Sequence, residues 1–405
     1  MKSAHPPEQK QVNMQIEYNP LEALQNERVF GLFARMLAHR YRTDILHDYY
    51  RLPDIPLQFT WWGTPVSPAE KARRELEFLR NRNASSPEEI EDLVQEFWRR
   101  LRPQGNHLHD HLKAENSYNE IAIFASDLKL LKPIFYLFPD HPALDIADVG
   151  AGKNQLGKAI LRSFDEMKEK ASYLNWIDNL GGTPLKARKV SVVGTDVTDW
   201  RDDQDDNTPG LEYRLQASAE DSPLEDESRD VIVTKWSFHH MKPAQMKRQI
   251  QNLFRVLRPG GVVIVIEAFL SGLPALPDET GFADVGEPTF AQRLLEVSRR
   301  LEFADIWPEG PWKNECYQIS ADYLALPLDE QHALLALEDF FGHYVLNQRS
   351  HMPFPFSYMP AEELIHEFLS EGFTEQRWNF LLFGFAPIIR RGPPTARFIF
   401  QKPSL

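Results

Sequence analysis

The chain has 405 residues, 59 acidic against 45 basic, for a formal net charge of −14 at pH 7. That balance opposes long-range attraction to nucleic acid or anionic lipid, and the length suggests two or three domains, or one domain with large additions. Cys316 is the only cysteine, which excludes an internal disulfide, and the longest purely aliphatic run, Val262 to Ile266, is far too short to span a bilayer. The opening segment, MKSAHPPEQKQ, lacks the apolar stretch of a secretory signal, so a cytoplasmic protein without a membrane span is expected.

In chain order, the spacing of Leu21, Leu24, Val29, Leu32, Phe33, Met36, Leu37 and Ile45 predicts one or two amphipathic helices. Trp61-Trp62-Gly63-Thr64-Pro65 reads as a turn-rich bridge. Two helix starts follow with capping-box spacing and proline at the first helical position, Ser67-Pro68-Ala69-Glu70 and Ser86-Pro87-Glu88-Glu89. The second helix runs through Leu93, Phe97 and Leu101, and another is expected over 118–138. Between them His107, His109 and His111 alternate beside Asp110. In an extended segment the three imidazoles share one face and suit zinc or iron, but a solvated loop satisfies the same pattern, and no metal ligand set is assigned.

Leu144 to Ile160 is the stretch around which the rest is organised. Leu144, Ile146, Ala147 and Val149 fit a buried strand, Gly150-Ala151-Gly152 a tight turn, and Leu156, Ala159 and Ile160 a helix. Strand, glycine turn and helix in this order place a ligand at the carboxyl edge of an open α/β sheet. A dinucleotide fingerprint needs a third glycine at position 155, where the residue is Gln155. Asp148, two residues before the first glycine, is a poor neighbour for a pyrophosphate and a good one for a cationic, hydroxylated ligand.

Strand and helix then alternate through about residue 268. Lys189 to Thr195 is a strand ending at Asp196, from which a carboxylate can accept from both hydroxyls of a ribose. Leu211 to Leu215 follows, then the turn from Ala217 to Leu224, the buried strand Asp230 to Trp236, and Ser237-Phe238-His239-His240-Met241. A helix from Pro243 to Leu257 is expected to stop at Arg258-Pro259-Gly260-Gly261, with a strand from Val262 to Glu267 after it. Beyond lie helical stretches near 290–303 and 320–345, the Pro- and aromatic-rich segment Arg349 to Pro360, a helix from Pro360 to Ser370, and strands over 375–385 and 396–401.

The glycine motif DVGAG, the turn AEDSPL, DVIVTKWSFHHM and LFRVLRPGGVVIVIE, in that order over roughly 130 residues, resemble the successive motifs of the class I, small-molecule type of S-adenosylmethionine (SAM)-dependent methyltransferases. The resemblance implies an α/β fold: a seven-stranded, mostly parallel Rossmann-like sheet with helices on both faces. Residues 1–139 would form a helical extension, 140–268 the cofactor-binding core, 269–371 a helical insertion acting as substrate lid, and 372–405 the last strands, antiparallel. It further implies that Asp148, Gly150, Ala151 and Gly152 hold the methionine part of SAM, Asp196 and Val197 the ribose side, and Ser218, Ala219 and Glu220 the adenine edge, with Lys235 and Trp236 near the donor. Two departures are visible: a long insertion over 166–189, and Ser218 where many members carry Asp.

Methyl transfer is an in-line displacement that needs alignment and exclusion of water more than catalytic groups. A hydroxyl acceptor needs a base, for which His239 and His240 at the end of the fourth strand, and Glu267 at the end of the fifth, are the candidates. The expected partner is a small apolar or aromatic metabolite, as in natural-product tailoring, with nucleic acid disfavoured and a homodimer left open. A SAM-dependent cyclisation or rearrangement, and methylation of RNA or protein, remain alternatives at this point.

Overall fold

The computed structural model of the chain describes residues 19–40, 60–61, 64–82, 84, 86–101, 141–154, 156–161, 189–199, 208–218, 221–268, 318–319, 322–323, 325–341, 358–375 and 395–404. Its centre is a seven-stranded sheet made of β1 (Ala143–Val149), β2 (Lys189–Asp196), β3 (Leu211–Leu215), β4 (Arg229–Lys235), β5 (Leu257–Ala268), β6 (Thr374–Glu375) and β7 (Thr395–Gln401). The spatial order is β3-β2-β1-β4-β5-β7-β6. β1 to β5 are mutually parallel, and β7 runs antiparallel to both β5 and β6. The order reverses at β1, which places the crevice of an open α/β sheet beside the β1 turn.

The strands are near-continuous apolar runs because both faces of a parallel sheet are covered. Val262 to Ile266 are at most 1% exposed, and Leu144, Ile146 and Ala147 are fully buried. Register brings Val193, Ala147, Ile232, Val263 and Phe400 into one row across five strands. That row packs against α4 (Pro243–Val256) through Met246, Ile250 and Leu253, and towards the sheet edge Phe400 stacks on Phe368 of α6 (Ala361–Ser370) at 4.1 Å.

β5 begins earlier than expected. Arg258-Pro259-Gly260-Gly261 is not a turn between helix and strand but part of the strand, with a register irregularity opposite Arg229 and Val231. Helix α4 accordingly stops at Val256, with Leu257 as its cap. Gly260, at φ +80°, accommodates the irregularity, and Arg258 is held by two carboxylates: Nη1 donates to Asp230 Oδ1 at 2.8 Å and Nη2 to Asp145 Oδ2 at 2.9 Å.

The amino-terminal helices are α1 (Glu27–Arg40), after a short 3-10 turn at Pro20–Gln25, α2 (Pro68–Arg80) and α3 (Pro87–Leu101). Thr60–Trp61 pairs with Thr64–Pro65 as a minimal hairpin where a turn was expected. The cap at Ser86 is reciprocal: Ser86 Oγ accepts from Glu89 N at 3.2 Å, and Glu89 Oε2 accepts from Ser86 N at 3.1 Å. Ser67 Oγ likewise accepts from Glu70 N at 3.1 Å, but the Glu70 carboxylate takes Arg73 and Arg74 instead of closing the box.

Helix α5 (Leu328–Phe340) joins this helical unit to the sheet. It is buried around most of its circumference, including Glu330, Gln331, Leu334, Leu335, Ala336, Leu337 and Phe340, as a helix enclosed by neighbours must be. On one side Asn26 Nδ2 donates to Glu330 Oε1 at 2.9 Å, and Phe33 meets Phe341 edge-on at 5.5 Å. Its last turn carries Asp339 to the sheet's carboxyl end. The expected helices at 118–138 and 290–303, the His107/His109/His111 cluster, the insertion over 166–188, most of Arg349 to Pro360 and residues 376–385 lie outside the described residues. Among the described residues no helix is long and apolar enough to cross a membrane.

Candidate active site

β1 delivers Asp148, 2% exposed, to its carboxyl end, and the chain turns through Gly150 at φ +78° and Gly152 at φ +51°. The two glycines are needed for different reasons. A Cβ on Gly150 would stand 2.5 Å from Ser237 Cβ, whereas one on Gly152 would meet nothing within 4 Å, so Gly152 borders open space. Asn154, buried and also at positive φ (57°), ties the turn down through Nδ2 to the Glu212 carbonyl at 3.2 Å. Its Oδ1 lies so close to Gly194 of β2 that a Cβ there would come within 2.5 Å.

The amides of the turn are spent within the fold. Gly150 N and Ala151 N both donate to the Thr195 carbonyl, at 2.8 and 3.0 Å, and Gly152 N donates to Asp196 Oδ2 at 2.8 Å. A pyrophosphate cradle needs those N–H groups pointing outward, so the site lacks the donor set of a dinucleotide fold. Beside the turn stand carboxylate acceptors instead, Asp196 on the Gly152 amide and, buried at the end of β1, Asp148. Asp196 also holds the following turn, accepting from Thr198 N at 2.8 Å. Val197 is 46% exposed next to it, an apolar surface at the carboxyl end of β2.

The other cofactor candidates line the same edge. Ser218 is half-buried and bridged to Asp221, while Ala219 and Glu220 lie outside the described residues. Lys235 ends β4 with its ammonium 4.7 Å from the Trp236 ring centroid, and Trp236 adopts φ +50°, a conformation rare for a bulky residue. Trp236 N donates to the Ile266 carbonyl at 2.8 Å, and Ser237 Oγ pairs with Thr234 Oγ1 at 2.6 Å, which anchors the turn pressed against Gly150.

Next to this turn the three catalytic candidates come together. Glu267 accepts from Phe238 N through Oε2 at 3.0 Å, and its Oε1 lies 2.6 Å from His239 Nδ1. His239 is 4% exposed, and its Nε2 lies 3.4 Å from Asp339 Oδ1; His240 Nε2 is 3.9 Å from the same oxygen. Tyr358 stacks on the His239 ring at 4.9 Å and 10°. Burial alone would push the His239 imidazole down, but the flanking carboxylates of Glu267 and Asp339 override it and raise its pKa to about 10. His332, edge-on to Tyr358, is lowered by burial, and the Tyr358 phenol is raised by burial and the nearby carboxylates. Ser237, Asn154, Asp339 and Tyr358 went unrecognised in the sequence. Asn154 had a local signal, since Asn tolerates positive φ. Asp339 had none, because only packing of α5 brings it to His239.

A seven-stranded sheet of this order, with an acidic glycine turn at its switch point and acceptors in place of phosphate donors, is the class I, Rossmann-like methyltransferase fold. Residues 182–265 match the family model described as a methyltransferase domain. A methyltransferase of Synechocystis whose function is uncharacterised is 36% identical over 61 residues, a match covering 15% of this chain and 28% of that relative's length. Among solved structures, a SAM-dependent methyltransferase of Aquifex aeolicus aligns with a TM-score of 0.33 at 13% identity, over 73% of this chain and 97% of its own. One from Methanosarcina mazei aligns with a TM-score of 0.32 at 13% identity, over 66% and 96%. Over residues 182–265 the chain is thus similar to SAM-dependent methyltransferases, and its match spans little more than a quarter of the curated relative's length.

Proposed function

We propose that this protein moves a methyl group from SAM to a small, apolar or aromatic metabolite, as a tailoring enzyme of natural-product synthesis. The observation that carries the reading is the turn whose first three N–H groups are consumed by Thr195 and Asp196, leaving carboxylates and open space at Gly152. Asp148, Gly150, Ala151 and Gly152 would hold the amino-acid end of the cofactor, Asp196 and Val197 the ribose side, and Ser218, Ala219 and Glu220 the base, with Lys235 and Trp236 alongside. When bound, SAM supplies a sulfonium-activated methyl group open to in-line displacement.

The acceptor end lies where β4 and β5 finish, at His239, His240 and Glu267. The described contacts support a small acceptor, since Asp339 of α5 stands beside both histidines and Tyr358 stacks on His239; on this reading residues 1–139 with 269–371 would cap the core formed by 140–268 and 372–405. Capping residues exclude water and fix the angle of approach, which is most of what this displacement asks of a protein. The acidic balance of the chain weighs against RNA.

The test is release of S-adenosylhomocysteine by the purified chain offered a panel of hydroxylated and amino-substituted aromatic compounds, beside total RNA and a protein extract. Turnover with a small compound, sensitive to substitution of His240, is the expected result. Methyl incorporation into RNA or protein alone would overturn the acceptor class.

A further inference from the structure

We propose that His239, His240 and Asp339 form a binding site for a first-row divalent metal ion, with zinc the best fit to the donor set. Their three donor atoms, two imidazole nitrogens and a carboxylate oxygen, all lie within 4.8 Å of one another. Ligands about 2.0–2.1 Å from a tetrahedral zinc stand about 3.4 Å apart, which is the His239 Nε2 to Asp339 Oδ1 distance of 3.4 Å. His240 Nε2, at 3.9 Å from that oxygen, needs a shift of about half an ångström by the same geometry.

A second, independent observation points to a ligand. Among the described residues His239 Nε2 is buried without a hydrogen-bond partner, and it faces Asp339 at 3.4 Å. Its other nitrogen is held: with Nδ1–H donating to Glu267 Oε1 at 2.6 Å, Nε2 is the nitrogen open to a metal, which would bind by displacing the proton that the flanking carboxylates otherwise keep on the ring. Glu267 is itself fixed by Phe238 N, and Tyr358 stacked on the ring sets its rotation. An outer carboxylate that orients a histidine and raises its basicity is the usual support of an imidazole ligand. Two imidazoles and one carboxylate favour zinc or a neighbouring transition ion over magnesium, which prefers an all-oxygen shell, and three protein ligands leave a position for an outside oxygen. His240 and Asp339, at 12% and 14% side-chain exposure against 5% for His239, mark the side from which that oxygen would enter. The site does not depend on methyl transfer, since it needs only these side chains.

The test uses the full chain, stripped with chelator and titrated with cobalt(II) while its visible d–d absorption is followed, with zinc as competitor and magnesium as control. One cobalt per chain, displaced by zinc and not by magnesium, is expected. Asp339→Asn and His240→Gln, near-isosteric changes at partly exposed positions, should each weaken binding by tenfold or more, and Glu267→Gln by about 10–100-fold. Circular dichroism of each variant reports folding, and SAM titration of the same samples separates this proposal from the cofactor reading. No cobalt uptake by the folded wild type, or uptake unchanged in both Asp339→Asn and His240→Gln, would overturn it and leave the cluster a proton-bridged contact.

Discussion

The two ends of the central sheet use carboxylates in opposite ways. At the amino end, Asp145 and Asp230 are matched to the Arg258 guanidinium, Ser191 Oγ donates to Asp145 Oδ1 at 2.7 Å, and Asp230 Oδ2 takes the Asp145 amide at 2.8 Å. At the carboxyl end, Asp196 takes the amides of Gly152 and Thr198, and Glu267 takes the Phe238 amide and the His239 imidazole. A guanidinium cancels a carboxylate's charge, whereas a neutral amide positions it and leaves the charge in place. The first arrangement is architecture. The second positions the Asp196 carboxylate without cancelling its charge, as the proposed binding of SAM would require, while Glu267 shares its charge with the His239 imidazole.

The comparison can be broken most severely at Gly150. Gly150→Val adds a branched side chain where a single Cβ already stands 2.5 Å from Ser237 Cβ, at φ +78°, so both thermal stability and cofactor binding should collapse. Gly152→Ala is the milder change: its Cβ meets no atom of the described residues within 4 Å, so the variant should fold, at a strain of about 1–2 kcal/mol, and lose SAM because the methyl would enter the proposed ligand's space. Asp148→Ala should weaken SAM by about a hundredfold, near 3 kcal/mol, as calorimetry would read it, with a native circular dichroism spectrum.

At the other end the signs reverse. Arg258→Met leaves Asp230, 6% side-chain exposed, without its guanidinium and should lower unfolding free energy by about 1–3 kcal/mol while SAM affinity stays unchanged. Smaller still is a pH effect. Burial tends to raise the Asp145 carboxyl, but hydrogen bonds from Ser191 and Arg258 outweigh it and hold its pKa below the ordinary carboxylate value. A depressed folded pKa contributes stability that is complete above the unfolded value of about 3.9 and lost as pH falls through the folded one. Arg258→Met should therefore flatten the acid limb of a denaturant-midpoint profile against pH. A limb as steep as the wild type's would remove Asp145 from the account.

Much of the core was legible because parallel strands covered on both faces write themselves as apolar runs: Val231 to Val233 and Val262 to Ile266 need no context to be read, and Leu144, Ile146, Ala147 and Val149 keep the signal around Asp145 and Asp148. The tight turn after β1 was legible through its two glycines, both at positive φ. The start of β5 was misread because proline and paired glycines at 259–261 normally end an element, and only the tertiary anchoring of Arg258 by Asp145 and Asp230 draws them into the strand. The side-chain cluster around His239 was half legible. His239, His240 and Glu267 sit at predictable strand ends, but Asp339 reaches them from a helix about a hundred residues further along the chain, and Tyr358 through a stacking contact that no spacing encodes.

On the proposed reading the carboxyl end of the sheet is built for SAM and not for a dinucleotide. Calorimetric titration of the purified chain with SAM, S-adenosylhomocysteine and NAD tests it most directly. Micromolar binding of the first two, lost in Asp148→Ala, and none of NAD is the predicted result. NAD binding as tight as SAM, or SAM affinity unchanged in Asp148→Ala, would contradict it.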